Sequence, residues 1–241
     1  MQVANAFHRA HDYDRHATVQ RVVAERLAER ILALDLPHGA RILEIGCGTG
    51  FLGAGLIGRL SYDHYWMTDI APGMLDLARQ RFAGSEGGHF AEMDGAEPTI
   101  TGPFDLICSS LAMQWLPDLG DAVARLRGLL APGGRLAFTT LAAGSFAQWR
   151  AAYGDAMPGT PDYPSADLLR GLGLDVSLET VDHRYRNAHD FLAALKAIGA
   201  GTPQPGYRPL SPSLLRQIMK RFDAAGTDVR HMIATCIAGP A

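Results

Sequence analysis

In this chain of 241 residues, the segment Arg41-Ile42-Leu43-Glu44-Ile45-Gly46-Cys47-Gly48-Thr49-Gly50 most constrains the fold, because an apolar strand runs directly into alternate glycines and then a helix. A chain that leaves a strand and enters a helix within a few residues needs positive φ or close backbone approach, and glycine supplies both without a Cβ penalty. The helix that follows, from about Phe51, offers unpaired backbone N–H groups to an anionic ligand. The spacing separates ligand classes. A dinucleotide fingerprint calls for glycines at 46, 48 and 51, but position 51 is Phe and the third glycine is Gly50. No Gly-Lys-Ser/Thr follows, which excludes a P-loop.

Two further acids lie at the ends of later strands. Residues 64–68 read as a short strand that ends at Asp69, before Ile70-Ala71-Pro72-Gly73-Met74. A carboxylate at the tip of the second parallel strand can accept both hydroxyls of a ribose; the plainer reading of Asp69 is a helix N-cap. A third strand over 88–93 ends in Asp94-Gly95-Ala96-Glu97, which also reads as a surface Asx-turn.

Strands and helices alternate down the chain, so a largely parallel sheet covered on both faces is expected, an α/β fold. Strands are placed near 41–46, 64–69, 88–93, 103–110 and 134–141, with two more near 174–185 and 229–238. An N-terminal helix is predicted from Asp14 to Leu34, with Val19, Val22, Val23, Leu27, Ile31 and Leu34 on one face. Another is predicted over Leu119–Leu130, stopped by Ala131-Pro132-Gly133-Gly134 before the fifth strand. The prolines 203, 205, 209 and 212 mark a loop rather than a domain linker. The chain is therefore expected to be one domain: an N-terminal helical cap over 1–36, a ligand-binding core over 37–145, and substrate or lid helices with the last strands over 146–241.

A net charge of −3 argues against general nucleic-acid binding. No apolar run is long enough to span a membrane, and the polar first fifteen residues do not resemble a secretory signal. Cys47, Cys108 and Cys236 are odd in number and isolated, so neither disulfides nor a zinc site is expected and a cytoplasmic setting is. The histidines 8, 11 and 16 cluster, but without the cysteines or metal-ligand spacing that would mark a metal site, so none is expected there.

Glu44-x-Gly-x-Gly-x-Gly, with an acid ahead of the first glycine, resembles motif I of the class I S-adenosylmethionine methyltransferases. The resemblance implies a Rossmann-like, seven-stranded, mostly parallel sheet with helices on both faces, plus an N-terminal helix and C-terminal lid helices. It implies S-adenosylmethionine as cofactor, S-adenosylhomocysteine as product and no metal. Residues 109–116, Ser-Ser-Leu-Ala-Met-Gln-Trp-Leu, end the fourth strand and begin the loop after it, where an open α/β sheet binds its ligand, so Ser109 to Trp115 are expected to line that cavity; they lack the Asn/Asp-Pro-Pro of many enzymes that methylate nitrogen. With Tyr13-Asp14-Arg15-His16-Ala17-Thr18-Val19-Gln20 and Leu195-Lys196-Ala197-Ile198-Gly199-Ala200, they make the chain similar over nearly its full length to the malonyl-acyl-carrier-protein O-methyltransferases of biotin synthesis. The segment Trp149–Pro164 departs from that pattern.

The residues implied for the cofactor are Gln20, Glu44, Gly46, Cys47, Gly48, Gly50, Asp69, Ile70, Met74, Asp94, Gly95, Ala96, Ser109 and Ser110. Asp94 would accept from the adenine amino group, Tyr13 would lie near the sulfonium and Gln20 near the methionyl part. A carboxylate acceptor is already ionised at neutral pH, so no general base is expected and positioning suffices. Tyr13 and Arg150 are the substrate-positioning candidates, Arg150 because a guanidinium matches a carboxylate. An acidic acyl carrier protein needs a basic face, for which Arg208, Arg216, Lys220 and Arg221 are the candidates. The residues leave open a methyltransferase for another small carboxylic acid or a quinone precursor, and a non-catalytic assembly factor on the same fold.

Overall fold

A computed structural model describes residues 13–198 and 207–240. His8, His11, Gly199, Ala200, Pro203 and Pro205, all noted in the sequence, lie outside these residues. Seven strands form one sheet: β1 (Ala40–Ile45), β2 (Tyr62–Asp69), β3 (Gly88–Glu92), β4 (Phe104–Ser110), β5 (Leu130–Leu141), β6 (Asp175–Arg184) and β7 (Asp228–Ala238). Their order is β3-β2-β1-β4-β5-β7-β6, with β1 to β5 parallel and β7 antiparallel to both neighbours. The order reverses direction between β1 and β4. At such a switch point the loops beyond the strand ends part, and a ligand crevice forms.

The helices are α1 (Tyr13–His16), α2 (Thr18–Leu32), α3 (Phe51–Leu56), α4 (Pro72–Arg81), α5 (Leu119–Arg127), α6 (Ala147–Ala152), α7 (Ala166–Gly171), α8 (Ala188–Ala197) and α9 (Pro212–Ala225). One face of the sheet packs on α5 and α7 through Leu43, Ile107, Val123, Leu126, Leu136 and Leu169. The other meets α2, α3 and α4 through Leu27, Ile31, Ile42, Leu52, Leu56 and Leu75. A third cluster is aromatic: Phe146, Trp149, Phe191 and Phe222 join α6, α8 and α9 to β7. Trp149, 2% exposed, stands edge-on to Phe191 and Phe222 at 5.2 and 5.3 Å. Helix α2 bridges two of these clusters, with Val19 and Val23 in the aromatic one and Leu27 and Ile31 against the sheet. It therefore fixes the C-terminal helices to the part of the sheet that carries the glycine turn.

Two expectations change. The N-terminal helix is not continuous: it breaks at Ala17 (φ −89°, ψ 37°) and ends at Leu32. Its first piece, α1, is turned so that Asp14 accepts from the Thr49 hydroxyl (2.7 Å) and pairs with Arg81 (2.5 Å). The helix predicted to reach Leu130 ends at Arg127, because the Leu129 carbonyl accepts from Phe104 N at 2.9 Å and draws the chain alongside β4. Leu130 thus already pairs with Phe104, and residues 131–134 are a bulge inside β5 rather than a turn before it.

Candidate active site

The turn after β1 holds Gly46, Gly48 and Gly50 at φ of 64°, 56° and 90°. At Gly46 a Cβ would come within 2.4 Å of the Ala112 Cβ, so glycine there lets two loops touch. At Gly48 it would meet nothing within 4 Å, because this backbone borders open space. Gly50 packs instead on Phe82, 2.5 Å from where its Cβ would stand, and lines no cavity; its place in the cofactor set is that of a helix-packing residue.

The space before Gly48 is a cavity of about 230 Å³ at the switch point. Asp69 lies at its floor, with Gly48 N donating to Oδ2 and Ala71 N donating to Oδ1, each at 2.9 Å. Asp69 is not the N-cap of α4, which is Ala71 with no side-chain cap; its carboxylate instead accepts from Ala71 N ahead of the helix and lines the cavity. Burial raises its pKa, opposed by the hydrogen bonds from Ala71, Gly48 and Ile70. Ile70, Met74, Met93, Leu116 and Pro117 form apolar walls, and Asp94 and Gly95 close one end. Asp94 accepts from Ala96 N at 2.9 Å, the Asx-turn geometry. Ala96 itself does not line the cavity; its carbonyl accepts from the Arg125 guanidinium on the outer side.

A recess of about 30 Å³ adjoins this cavity, lined by Gln20, Glu44, Cys47, Gly48 and Ser110. Glu44 is 1% exposed and accepts from the Tyr65 hydroxyl at 2.6 Å. Burial, with a smaller push from Asp69, raises its pKa to about 8 against the pull of the Tyr65 hydrogen bond. Ser109 is a correction. Successive strand residues face opposite ways, so Ser110 lines the cavities while Ser109, 1% exposed, points into the sheet, its hydroxyl without a hydrogen-bond partner.

A third space of about 60 Å³ lies beyond Tyr13, Leu111 and Trp115, which border it and the main cavity alike. Its walls include Val19, Gln20, Leu141, Phe146, Tyr163, Ile198 and His231. Leu111, at φ 51°, is one of two non-glycine residues with positive φ among those described. Strain of this kind is held where the surroundings over-determine it, commonly at functional sites. Tyr13 borders all three spaces and stacks on Phe51 at 6.3 Å.

Arg150 is the second correction. Its guanidinium donates to the carbonyls of Thr160 (3.0 Å) and Pro161 (3.2 Å) and to the Thr160 hydroxyl (3.1 Å), and it pairs with Asp162 (2.5 Å). It lines none of the three spaces and fastens the segment that precedes Tyr163. Asp14, Met93, Leu116, Pro117, Tyr163 and His231 also border or brace these spaces, although the sequence singles none of them out as a site residue. Among the described residues no cluster of three or more His, Cys, Asp or Glu is placed to hold a metal, and no helix is long and apolar enough to cross a membrane.

This geometry can be set beside known proteins. A methyltransferase-domain family matches residues 43–136, the span that supplies every lining residue of the main cavity except Tyr13. A malonyl-[acyl-carrier protein] O-methyltransferase of Magnetococcus marinus is 40% identical over 229 residues, covering 91% of this chain and 84% of the relative. The chain belongs to the malonyl-[acyl-carrier protein] O-methyltransferase family. A further member, from Geobacter sulfurreducens, is 33% identical over 93% of this chain and 92% of its own length. The biotin biosynthesis bifunctional protein BioCD of Bordetella avium is 43% identical over 239 residues, and this chain spans 51% of that longer protein. Among solved structures, the YcgJ protein of Bacillus subtilis superposes with a TM-score of 0.63 at 13% identity, covering 88% of this chain and 97% of that one. A DhpI–SAM–HEP complex does so with a TM-score of 0.58 at 18% identity, covering 98% and 95%. These likenesses establish the class I methyltransferase fold that the glycine turn and the strand alternation imply.

Proposed function

We propose that this chain transfers the methyl group of S-adenosylmethionine to the free carboxylate of a malonyl thioester on acyl carrier protein, an early step of biotin synthesis. The observation that carries this reading is the meeting of two unlike cavities at Tyr13, Leu111 and Trp115, in a chain of this family. One cavity has the features that an adenosyl ligand needs: bare backbone at Gly48, a carboxylate at Asp69 for a diol, and the apolar walls of Ile70 and Met74 for a flat ring. The other is narrow and largely apolar, as a short acyl group needs.

In this reading Asp69 takes the ribose hydroxyls, Asp94 and Gly95 meet the adenine edge, and Gln20, Glu44 and Ser110 face the amino-acid end. Bound S-adenosylmethionine would supply an electrophilic methyl group, its sulfonium sulfur leaving as the neutral thioether of S-adenosylhomocysteine. The chain's part is then to orient the carboxylate oxygen, strip its water and hold it in line, and no residue has to remove a proton. Tyr13 sits where the two spaces join and guides that alignment. The carrier protein docks on the exposed cations Arg208, Arg216, Lys220 and Arg221, on or just before α9.

The test is growth. Expressed in a bacterium that lacks its own malonyl-carrier methyltransferase, this chain restores growth without biotin, and an Asp69→Ala variant does not. Failure of the well-expressed wild-type chain to restore growth contradicts the proposal.

A further inference from the structure

We propose, resting on the transfer reading above, that the carboxylate of the acyl group is received by an uncharged donor, the Tyr163 hydroxyl, rather than by an arginine. Most of the polar groups that border the acyl cavity are already engaged. The Gln114 amide donates to the Leu111 carbonyl at 2.7 Å and its oxygen accepts from Thr140 at 3.4 Å. The Thr160 hydroxyl accepts from Arg150, whose guanidinium is itself taken up by the 160–162 backbone and Asp162. His231 places Nδ1 3.1 Å from the Val181 carbonyl, which can only accept, so that nitrogen carries the proton. Burial pushes the His231 pKa down to about 4, leaving the ring neutral.

Tyr163 differs from these. Tyr13 and Gln20 border this space too, but each also lines a neighbouring cavity, whereas Tyr163 borders this one alone, its ring leaning on Phe146 at 5.9 Å and its hydroxyl without a hydrogen-bond partner among the described residues. Burial raises the phenol pKa above its ordinary range, against a smaller opposing pull from the Arg150 charge outside the cavity, so the group stays a donor at any physiological pH. Among the described residues that border this space none carries a positive charge at neutral pH.

A neutral donor suits the reaction. A fork of guanidinium bonds would hold the carboxylate firmly but draw charge from the oxygen that must attack; a single phenol orients one oxygen and leaves the other free. The same group selects the substrate. An acyl chain without a terminal carboxylate leaves a buried hydroxyl unpaired, and a site built to hydrogen-bond a polar group discriminates strongly against analogues that lack it.

The test is equilibrium binding of malonyl-pantetheine and of acetyl-pantetheine to the full chain loaded with S-adenosylhomocysteine. The wild-type chain prefers the malonyl thioester. Tyr163→Phe, which keeps the ring against Phe146, weakens malonyl-pantetheine binding about 10- to 100-fold, the loss of a hydrogen bond to a charged group, while acetyl-pantetheine binding tightens, because no hydroxyl is left unpaired, and S-adenosylhomocysteine binding is unchanged. Tyr163→His, which keeps a ring and a donor, restores much of the preference. A Tyr163→Phe chain with the wild-type malonyl-to-acetyl ratio overturns the proposal, as does a Tyr163→His chain that loses as much as Tyr163→Phe. Failure of the functional reading appears separately, as a wild-type chain that binds S-adenosylhomocysteine but shows no preference for the malonyl thioester.

Discussion

Replacing Glu44 by Gln tests the electrostatics of the glycine turn without touching its backbone. Glu44 is 1% exposed, beside Asp69, and holds its proton up to a pH of about 8, whereas the unfolded chain releases it near the ordinary value of 4.5. The sign follows from proton counting: between those values the folded state binds more protons than the unfolded one, so raising the pH favours unfolding. The contribution is fully present below 4.5 and lost as pH rises through about 8. Each pH unit in that window is worth about 1.4 kcal/mol, so this one carboxyl removes roughly 3 kcal/mol between pH 5 and pH 8, against a total stability of about 5–15 kcal/mol. Glutamine keeps an oxygen for the Tyr65 hydroxyl and does not titrate. Urea unfolding of both chains from pH 5 to pH 8 then gives curves that diverge, the variant gaining about 3 kcal/mol relative to wild type, while other titrating groups cancel in the difference. Parallel curves would refute the reasoning and mean that Glu44 is ionised in the folded chain.

The other expectations concern the ligand. Asp69→Ala removes the acceptor facing the cavity and weakens S-adenosylhomocysteine binding by about 1.5–3 kcal/mol for each charge-assisted bond lost, read by calorimetry; an unchanged Kd removes Asp69 from the ribose role. Gly48→Ala has room for its methyl but sits at φ 56°, so its melting temperature drops only modestly while ligand binding collapses; Gly46→Ala, driven against Ala112 at 2.4 Å, loses stability more than Gly48→Ala does. Equal melting temperatures for the two would contradict the packing account. Asp14→Ala frees α1 from Thr49 and Arg81, and because that ion pair is half exposed it costs under about 1 kcal/mol of stability. Its effect is on S-adenosylhomocysteine release, which quickens in stopped-flow traces; an unaltered rate would show that α1 does not restrain the ligand. Arg221→Glu raises KM for the carrier-bound substrate and not for malonyl-coenzyme A, and an equal rise for both would remove α9 as the docking face.

The sheet and the nucleoside cavity were legible because their signals are local. Glycines at 46 and 48 meet backbone demands set within a few residues, and Asp69 and Asp94 are marked by following short apolar strands. The second cavity carries no such mark. Val19, Leu141, Tyr163, Ile198 and His231 come from segments far apart in the chain and meet only once α2, α8 and β7 have packed. Arg150 was visible as a cation, but the carbonyls that consume it lie ten and eleven residues on, in a loop with no periodic pattern. Ser109 and Ser110 look alike in sequence, and only the strand register sends one into the sheet and the other into the cavities. The break at Ala17 was hidden because no proline or glycine marks it in Tyr13-Asp14-Arg15-His16-Ala17-Thr18, and Asp14 finds Thr49 and Arg81 only in three dimensions.

The most direct measurement follows the methyl group itself. Purified chain is incubated with methyl-labelled S-adenosylmethionine and malonyl-loaded acyl carrier protein, and the carrier is recovered before and after mild base. The account requires label on the malonyl-carrier, released by base as a methyl ester should be, and none on acetyl-carrier protein. Label on free small acids but not on the malonyl thioester, or no transfer by a chain that binds S-adenosylhomocysteine, would contradict it.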